Sequence, residues 1–234
     1  MLEYFSIQFI QSLTKHFDRM RNRIKFVFLI LPITFAMLAC RISLPWQDQS
    51  SGAILFQDDF SDPASGWNQV TTESGMTDYA DGMYMILVNE PNLDVWARPG
   101  LNFTNTIIDV DTFKVGGDRN NRFGVICRLN GNDNFYSFLI SSDGYYGIGK
   151  VSGGAYELIG VNALQPSEAI KQGSDINHLR VECVDDRLTL LVNGEKVAEA
   201  KDSSFQHGDV GLIAGTYDIP GTDIRFDNLV ITHP

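Results

Sequence analysis

Four dipeptides constrain this chain more than any other feature. Asp81-Gly82, Asn130-Gly131, Asp143-Gly144 and Asn193-Gly194 supply the positive φ that tight β-hairpins demand. Around them lie runs rich in β-branched and aromatic residues, at 53–60, 83–88, 93–98, 103–115, 121–129, 134–141, 145–152, 155–161, 177–184, 187–192, 196–201, 210–216 and 223–231. Many short strands joined by short loops predict an all-β sandwich or barrel. The one helical candidate is Ser167 to Gln172, after Pro166 and before Gly173, a turn or two long.

Alternation assigns the faces, because side chains two apart line one side of a strand. In 121–129, Phe123, Val125, Cys127 and Leu129 oppose Arg122, Gly124, Ile126 and Arg128. In 177–184, Leu179, Val181 and Cys183 oppose Arg180 and Glu182, and in 187–192, Leu188, Leu190 and Val192 share a face. Phe60, Trp67, Phe138 and Phe226 are expected in the core.

The N-terminus is of another kind. Arg19, Arg21, Arg23 and Lys25 precede an uncharged 13-residue run, Phe26 to Leu38, interrupted by Pro32. That is short for a spanning helix of roughly 20 apolar residues, and its order is that of a secretory signal. Its end, Met37-Leu38-Ala39-Cys40, resembles the lipobox of bacterial lipoproteins, with Met where leucine is usual. The resemblance implies cleavage before Cys40 and diacylglycerol on its sulfur. The protein would then sit outside the cytoplasm, held to the bacterial cell membrane by its N-terminal lipid. The alternatives are an uncleaved anchor or a simple secreted protein. Met20 can serve as the start, since Met20 to Cys40 is itself a complete signal. The organisation is then a signal peptide at 1–39, a lipidated polar tether at 40–52 and one β domain at 53–234.

Of 18 basic and 29 acidic residues, five and two lie within the first 40, so the remainder carries 13 basic and 27 acidic, a formal charge of −14. Such a surface repels phosphate backbones and excludes nucleic acid as a partner. With Cys40 lipidated, two cysteines remain in an oxidising compartment, and both fall on core-facing series. A Cys127–Cys183 disulfide is expected; the alternative is two buried thiols that never meet.

The segments "LFQDDFSDPASGW" (55–67), "GVICRLNGNDNFYSFLIS" (124–141), "LRVECVDDRLTLLVNGEKVAEAKD" (179–202), "GDVGLIAG" (208–215) and "DIRFDNLVI" (223–231) together resemble the concanavalin A-like jelly-roll modules of bacterial cell-surface proteins. They are also similar to the laminin-G-like and 3-keto-disaccharide-hydrolase-like branches of that fold. The resemblance covers about 180 residues and implies an antiparallel β-sandwich. By analogy with laminarinase-type jelly rolls it also implies a structural calcium at Asp59 and Asp227. The competing role for Asp59 and Asp62 is turn capping. No other cofactor is required.

Motifs for chemistry are sparse. "GYYGIGKV" (144–151) has phosphate-loop spacing, but Val151 stands where Ser or Thr would hold magnesium, and a strand follows instead of a helix. "NGNDNF" (130–135) lacks the glycine and the late glutamate of a calcium loop. Asp109 and Asp111 share a strand face without a glutamate, which reads as a solvated face more than a hydrolytic pair. His178 and His207 fall at loop edges. No catalytic constellation emerges, and the leading expectation is a non-catalytic module.

Sugars stack on aromatic rings while charged and amide side chains bond their hydroxyls. Trp96 and Arg98 share a strand face, Arg122 and Arg128 another, and Tyr136, Tyr145, Tyr146 and Tyr156 lie on neighbouring strands. Trp96, Arg98, Arg122, Arg128 and Tyr145 are the candidates for binding a glycan or matrix polymer. The rival functions are a structural or protein-interaction module without a sugar site, and a glycoside-cleaving enzyme of the 3-keto-disaccharide hydrolase type.

Overall fold

The computed structural model describes residues 51–234. The signal, Cys40 and most of the tether lie outside the described residues. Sixteen strands follow in order: β1 (Ile54–Asp58), β2 (Val70–Thr71), β3 (Gly75–Ala80), β4 (Met83–Val88), β5 (Asp94–Ala97), β6 (Thr106–Gly116), β7 (Asn121–Asn130), β8 (Asn134–Ile140), β9 (Tyr145–Ser152), β10 (Ala155–Leu158), β11 (Gln165–Pro166), β12 (Asn177–Val184), β13 (Arg187–Val192), β14 (Glu195–Lys201), β15 (Asp209–Thr216) and β16 (Thr222–Thr232). One sheet runs β14-β13-β12-β6-β16-β4-β3-β2, with β1 on β16; the other runs β10-β9-β8-β7-β15-β5, with β11 on β9. Every pairing is antiparallel. The result is an antiparallel jelly-roll sandwich.

The turn chemistry works as the dipeptides demand. Asp81-Gly82 and Asn193-Gly194 hold positive φ at both residues and close the β3–β4 and β13–β14 hairpins. Strands β2 and β3 have no counterpart among the expected runs: "GMTDYA" carries a glycine and an aspartate, and it becomes a strand by pairing with β4. The expected helix at Ser167–Gln172 does not form; the segment is a turn, with the Ile170 amide donating to the Ser167 carbonyl at 3.4 Å. Ser167 Oγ accepts the Ala169 amide, and the chain then moves on to β12.

Between the sheets lies a single apolar core. One side is Tyr84, Ile86, Ile108, Val110, Leu179, Val181, Leu188, Leu190, Ile224 and Phe226; the other is Phe123, Val125, Tyr136, Phe138, Ile140, Leu212 and Ala214. Full burial of each large side chain contributes about 1.5–3 kcal/mol. Phe60 and Trp67 join them, edge to face with centroids 5.5 Å apart. Cys127 on β7 and Cys183 on β12 form a disulfide, Sγ to Sγ 1.98 Å, buried in the core and joining one sheet to the other.

Immediately after Cys127 the strict alternation breaks. The register of β7 slips between Cys127 and Asn130, and Arg128 takes a φ of 54°. This is a β-bulge, which re-aims the side chains beyond it. Leu129 leaves the inner series and packs with Ile126, Phe135, Leu139 and Ile213. Arg128 leaves the outward face. It is 3% exposed, and donates to the carbonyls of Thr104 (3.2 Å), Asp185 (2.7 Å), Phe205 (2.8 Å) and Cys183 (3.4 Å), and to Asn105 Oδ1 (3.2 Å). Burial lowers its pKa from the ordinary arginine value.

A second tie crosses the sandwich at Asp202, just past β14. Its carboxylate accepts Tyr136 Oη at 2.6 Å and Lys150 Nζ at 2.9 Å, both from the opposite sheet, and the Ser204 amide at 2.8 Å. Burial alone would raise its pKa, but hydrogen bonds from Ser204, Tyr136 and Lys150 outweigh it and hold the carboxyl well below the usual range.

Two stability predictions follow from these ties. The Cys127→Ala/Cys183→Ala double variant is expected to lose about 2–5 kcal/mol, read as a lower urea midpoint. An unchanged midpoint would mean that the cross-link does not constrain folding. For Asp202, folding depresses the pKa, so its stabilisation is fully present above the unfolded value of about 3.9 and fades as pH falls through the folded one. Asp202→Asn is therefore expected to be less stable at neutral pH and to lose less on acidification, measured by urea unfolding at pH 7 and pH 3.

Candidate functional site

The outer face of the β10–β5 sheet is not a polar surface. Its cross-strand rows mix large side chains with glycines: Trp96–Ile213–Gly124–Leu139–Gly147 in one row, and Gly211–Ile126–Ser137–Gly149 in the next. A Cβ on Gly124 would run into the Phe138 carbonyl, and one on Gly147 would meet Leu158 and Leu164. The glycines lower the floor, and the large residues form an apolar shelf of Trp96, Phe135, Leu139, Val151 and Ile213. Trp96 and Phe135 lie 5.7 Å apart, tilted.

A third row is Asp94–Gly215–Arg122. Because Gly215 has no side chain, Arg122 Nε and Asp94 Oδ1 meet across it at 2.5 Å. A Cβ there would strike the Asp94 carboxylate and lie 2.9 Å from Arg122 Nε. Arg122 also donates to the Thr216 carbonyl at 2.9 Å and lies 4.5 Å from the Tyr217 ring centre, a cation–π contact. Burial works against its charge, but Asp94 outweighs it and raises the guanidinium pKa above its ordinary value.

These groups line a hollow of about 850 Å³ with Asn92, Asn120, Tyr145, Tyr156 and Leu164. It shares Asp94 and Tyr156 with a smaller hollow of about 170 Å³ over the Trp96 shelf, so the two form one groove. Tyr145 is 40% exposed on its wall. Tyr156 is 50% exposed, but the hydroxyl end of its ring lies against Gly149. Burial there, then neighbouring Tyr217 and Asp94, pushes its pKa up to about 12, so it is a neutral donor. Ser137 Oγ on the floor is buried and makes no hydrogen bond of normal geometry, with the Tyr156 hydroxyl as its neighbour. Two carboxylates line the larger hollow. Asp94 is held by Arg122, and Asp143 accepts the Ser141 hydroxyl.

The structure thus brings Arg122, Tyr145 and Trp96 to one groove. It places Arg98 in a separate hollow at the sheet end, and takes Arg128 into the interior, out of reach of a ligand. Tyr136 points inward. Asp94 and Tyr217 belong to the site and were not among the candidates. Asp94 was visible in principle, two residues before Trp96 on the same strand face; Tyr217 follows β15 and reaches Arg122 only through tertiary register.

Of the acids expected around calcium, Asp59 caps a turn and Asp227 lies at the bulge of β16. Asp58, Asp59 and Asp62 accept the amides of Phe60, Ser61 and Ala64 at 2.8, 3.0 and 2.9 Å, and Asp227 accepts that of Asn228 at 2.8 Å. Among the described residues no group of three or more His, Cys, Asp or Glu side chains is arranged to hold a metal. Asp109 and Asp111 lie on the other sheet. Asp109 is gripped by Arg180 at 2.8 and 2.9 Å, and Asp111 by His178 and Asn228 at 2.8 and 3.0 Å.

Comparison with known proteins agrees with this architecture. The carbohydrate binding module CBM66 from Bacillus subtilis superposes with a TM-score of 0.59 at 19% identity, over 72% of this chain and 96% of its own. A galectin-like-fold protein from Bacillus subtilis gives 0.57 at 11% identity, over 78% and 96%. The β-glucanase of Bacillus licheniformis gives 0.58 at 10% identity, over 80% and 100%. These likenesses are of fold. No curated protein sequence matches the chain. The family model of the 3-keto-alpha-glucoside-1,2-lyase-like domain matches residues 51–232, and the chain belongs to that family.

Proposed function

We propose that the protein is an extracytoplasmic lipoprotein whose sandwich is a non-catalytic module that binds glycan or matrix polymer in the Arg122 groove. One observation carries this reading: the Asp94–Arg122 pair, set across Gly215 between Tyr145, Tyr156 and Tyr217. An ion pair at the floor of a tyrosine-lined cleft offers donors and acceptors to hydroxyls and flat rings to the apolar faces of a sugar. The Ser137 hydroxyl, beside that of Tyr156, adds a buried group that a ligand hydroxyl would engage. A binding role is favoured over hydrolysis because the two carboxylates lining the hollow already have partners, whereas glycoside cleavage asks for a pair flanking the scissile bond.

The test is retention of the protein on a panel of insoluble and immobilised polysaccharides. The wild type is expected to be retained by at least one. Arg122→Gln should weaken that retention by about tenfold or more, the loss of a charged hydrogen bond. Gly215→Ala should reproduce the loss, because its methyl parts the pair. Retention on none of the polymers would remove the glycan reading in favour of an interaction module. Turnover of a 3-keto-glucoside would replace it with the enzyme.

The anchor is tested separately. Mass spectrometry of the membrane fraction is expected to find the mature chain beginning at Cys40 and carrying diacylglycerol. A chain that retains residues 1–39, or an unmodified Cys40, would count against it.

A further inference from the structure

Past the Trp96 shelf the outer face ends in a second hollow. Arg98 and Pro99 follow β5, Asn130 and Gly131 turn from β7 to β8, and His207 leads into β15; with Asn68 and Asn102 they line a volume of about 570 Å³. It adjoins the groove, since Trp96 and Asn132 of the shelf neighbour Arg98 and Gly131 in the chain. Along β15 the distance from Gly215 to Asp209 is six residues, or about 20 Å of strand.

The donors of this hollow are underused. Arg98 gives Nη1 to the Gly131 carbonyl at 2.9 Å. Among the described residues it makes no ion pair at contact distance, although its charge is felt by the buried Asp209. His207 approaches Asn102 Oδ1 through Nδ1 at 3.4 Å, which leaves Nε2 open. The one carboxylate, Asp209, is closed to a ligand. It is 4% exposed, and its oxygens accept the amides of Gly100, Leu101 and Val210 at 2.9, 3.0 and 2.9 Å. A half-buried guanidinium with spare donors, an imidazole and neutral amides around it fit the planar or tetrahedral oxygens of an anion.

We propose that the Arg98–His207 hollow is a second binding site, taking an anionic group, carboxylate or sulfate, on the polymer whose neutral part lies in the Arg122 groove. The proposal rests on the groove reading. It assigns the ligand to the acidic polysaccharides.

The full-length protein is titrated calorimetrically, at fixed ionic strength, with dextran, dextran sulfate and polygalacturonate. At least one acidic polymer is expected to bind more tightly than dextran, and comparing the two tells sulfate from carboxylate. Arg98→Gln should lower affinity for that polymer about tenfold and leave dextran unchanged, with His207→Gln acting in the same direction. Equal loss for neutral and acidic polymers, or no loss on Arg98→Gln, would overturn the proposal. A second measurement separates its failure from that of the groove. Free galacturonate or methyl sulfate should shift the amide resonances of Gly131 and Gly208 in the wild type and not in Arg98→Gln. Those shifts uphold the hollow even if no polymer is held by Arg122. Their absence, with acidic polymer still bound through Arg122, leaves the groove standing alone.

Discussion

One end of the sandwich depends on a single bulge in β7. Without it, Leu129 would point into the core and Arg128 into solvent, as uninterrupted alternation requires. With it, Arg128 turns in and ties the Thr104, Asp185 and Phe205 segments together, beside a disulfide that joins the sheets. An arginine so placed is tolerated because its buried N–H groups find oxygen acceptors on Thr104, Asn105, Cys183, Asp185 and Phe205. Leu129, released to the other side, completes the apolar shelf with Ile126, Phe135, Leu139 and Ile213. One inserted residue thus closes the end of the sandwich and brings Leu129 to the lining of the Arg98 hollow.

A sheet that is apolar on both faces would ordinarily be a liability, since large exposed apolar patches invite association. Here glycines break up the rows. Gly124, Gly147, Gly149, Gly211 and Gly215 alternate with bulky neighbours, so the surface becomes a trough with its apolar residues low and Tyr156, Leu158 and Leu164 folded over its side. The same device makes the ion pair possible. In the Asp94–Gly215–Arg122 row the charges lie two strands apart, and only an empty middle position lets them touch. Packing and recognition therefore use one feature of the sequence.

Much of this was legible in the chain. The Asp-Gly and Asn-Gly pairs mark hairpins through a steric rule that tertiary context seldom overrides. The inward faces of β7 up to Cys127, of β12 and of β13 follow from period-two alternation, so the pairing of Cys127 with Cys183 could be anticipated. What escaped did so for physical reasons. A bulge inserts a residue without altering composition, so nothing at Arg128 distinguishes it from an outward arginine. Strand β3 owes its conformation to β4 more than to its own propensity. The outer shelf was hidden because one buried face is the usual economy of an antiparallel sheet, and Ile126 and Leu139 read as ordinary strand residues. Arg122, Tyr145 and Trp96 were picked by residue type and line one groove, whereas Asp94 and Tyr217 meet Arg122 through the register of three strands.

The charge pattern bears on what such a trough can hold. Beyond Cys40 the chain carries −14, and some of its acids are engaged locally. Asp58, Asp59 and Asp62 cap one loop, Asp109 and Asp111 grip their cross-strand neighbours, Asp202 ties two sheets, and Asp94 neutralises Arg122. Pairs at contact distance look neutral from more than about 8–10 Å away at physiological salt. Net charge therefore repels polyanions as a diffuse field and does not determine what happens inside a cleft. There the decisive groups are those whose hydrogen-bonding capacity the fold leaves unused: the Ser137 hydroxyl on the groove floor, and the remaining donors of Arg98 and His207 at its end. Among the described residues Ser137 Oγ is one of five buried side-chain polar atoms without a hydrogen-bond partner, and of the five it alone lines the trough.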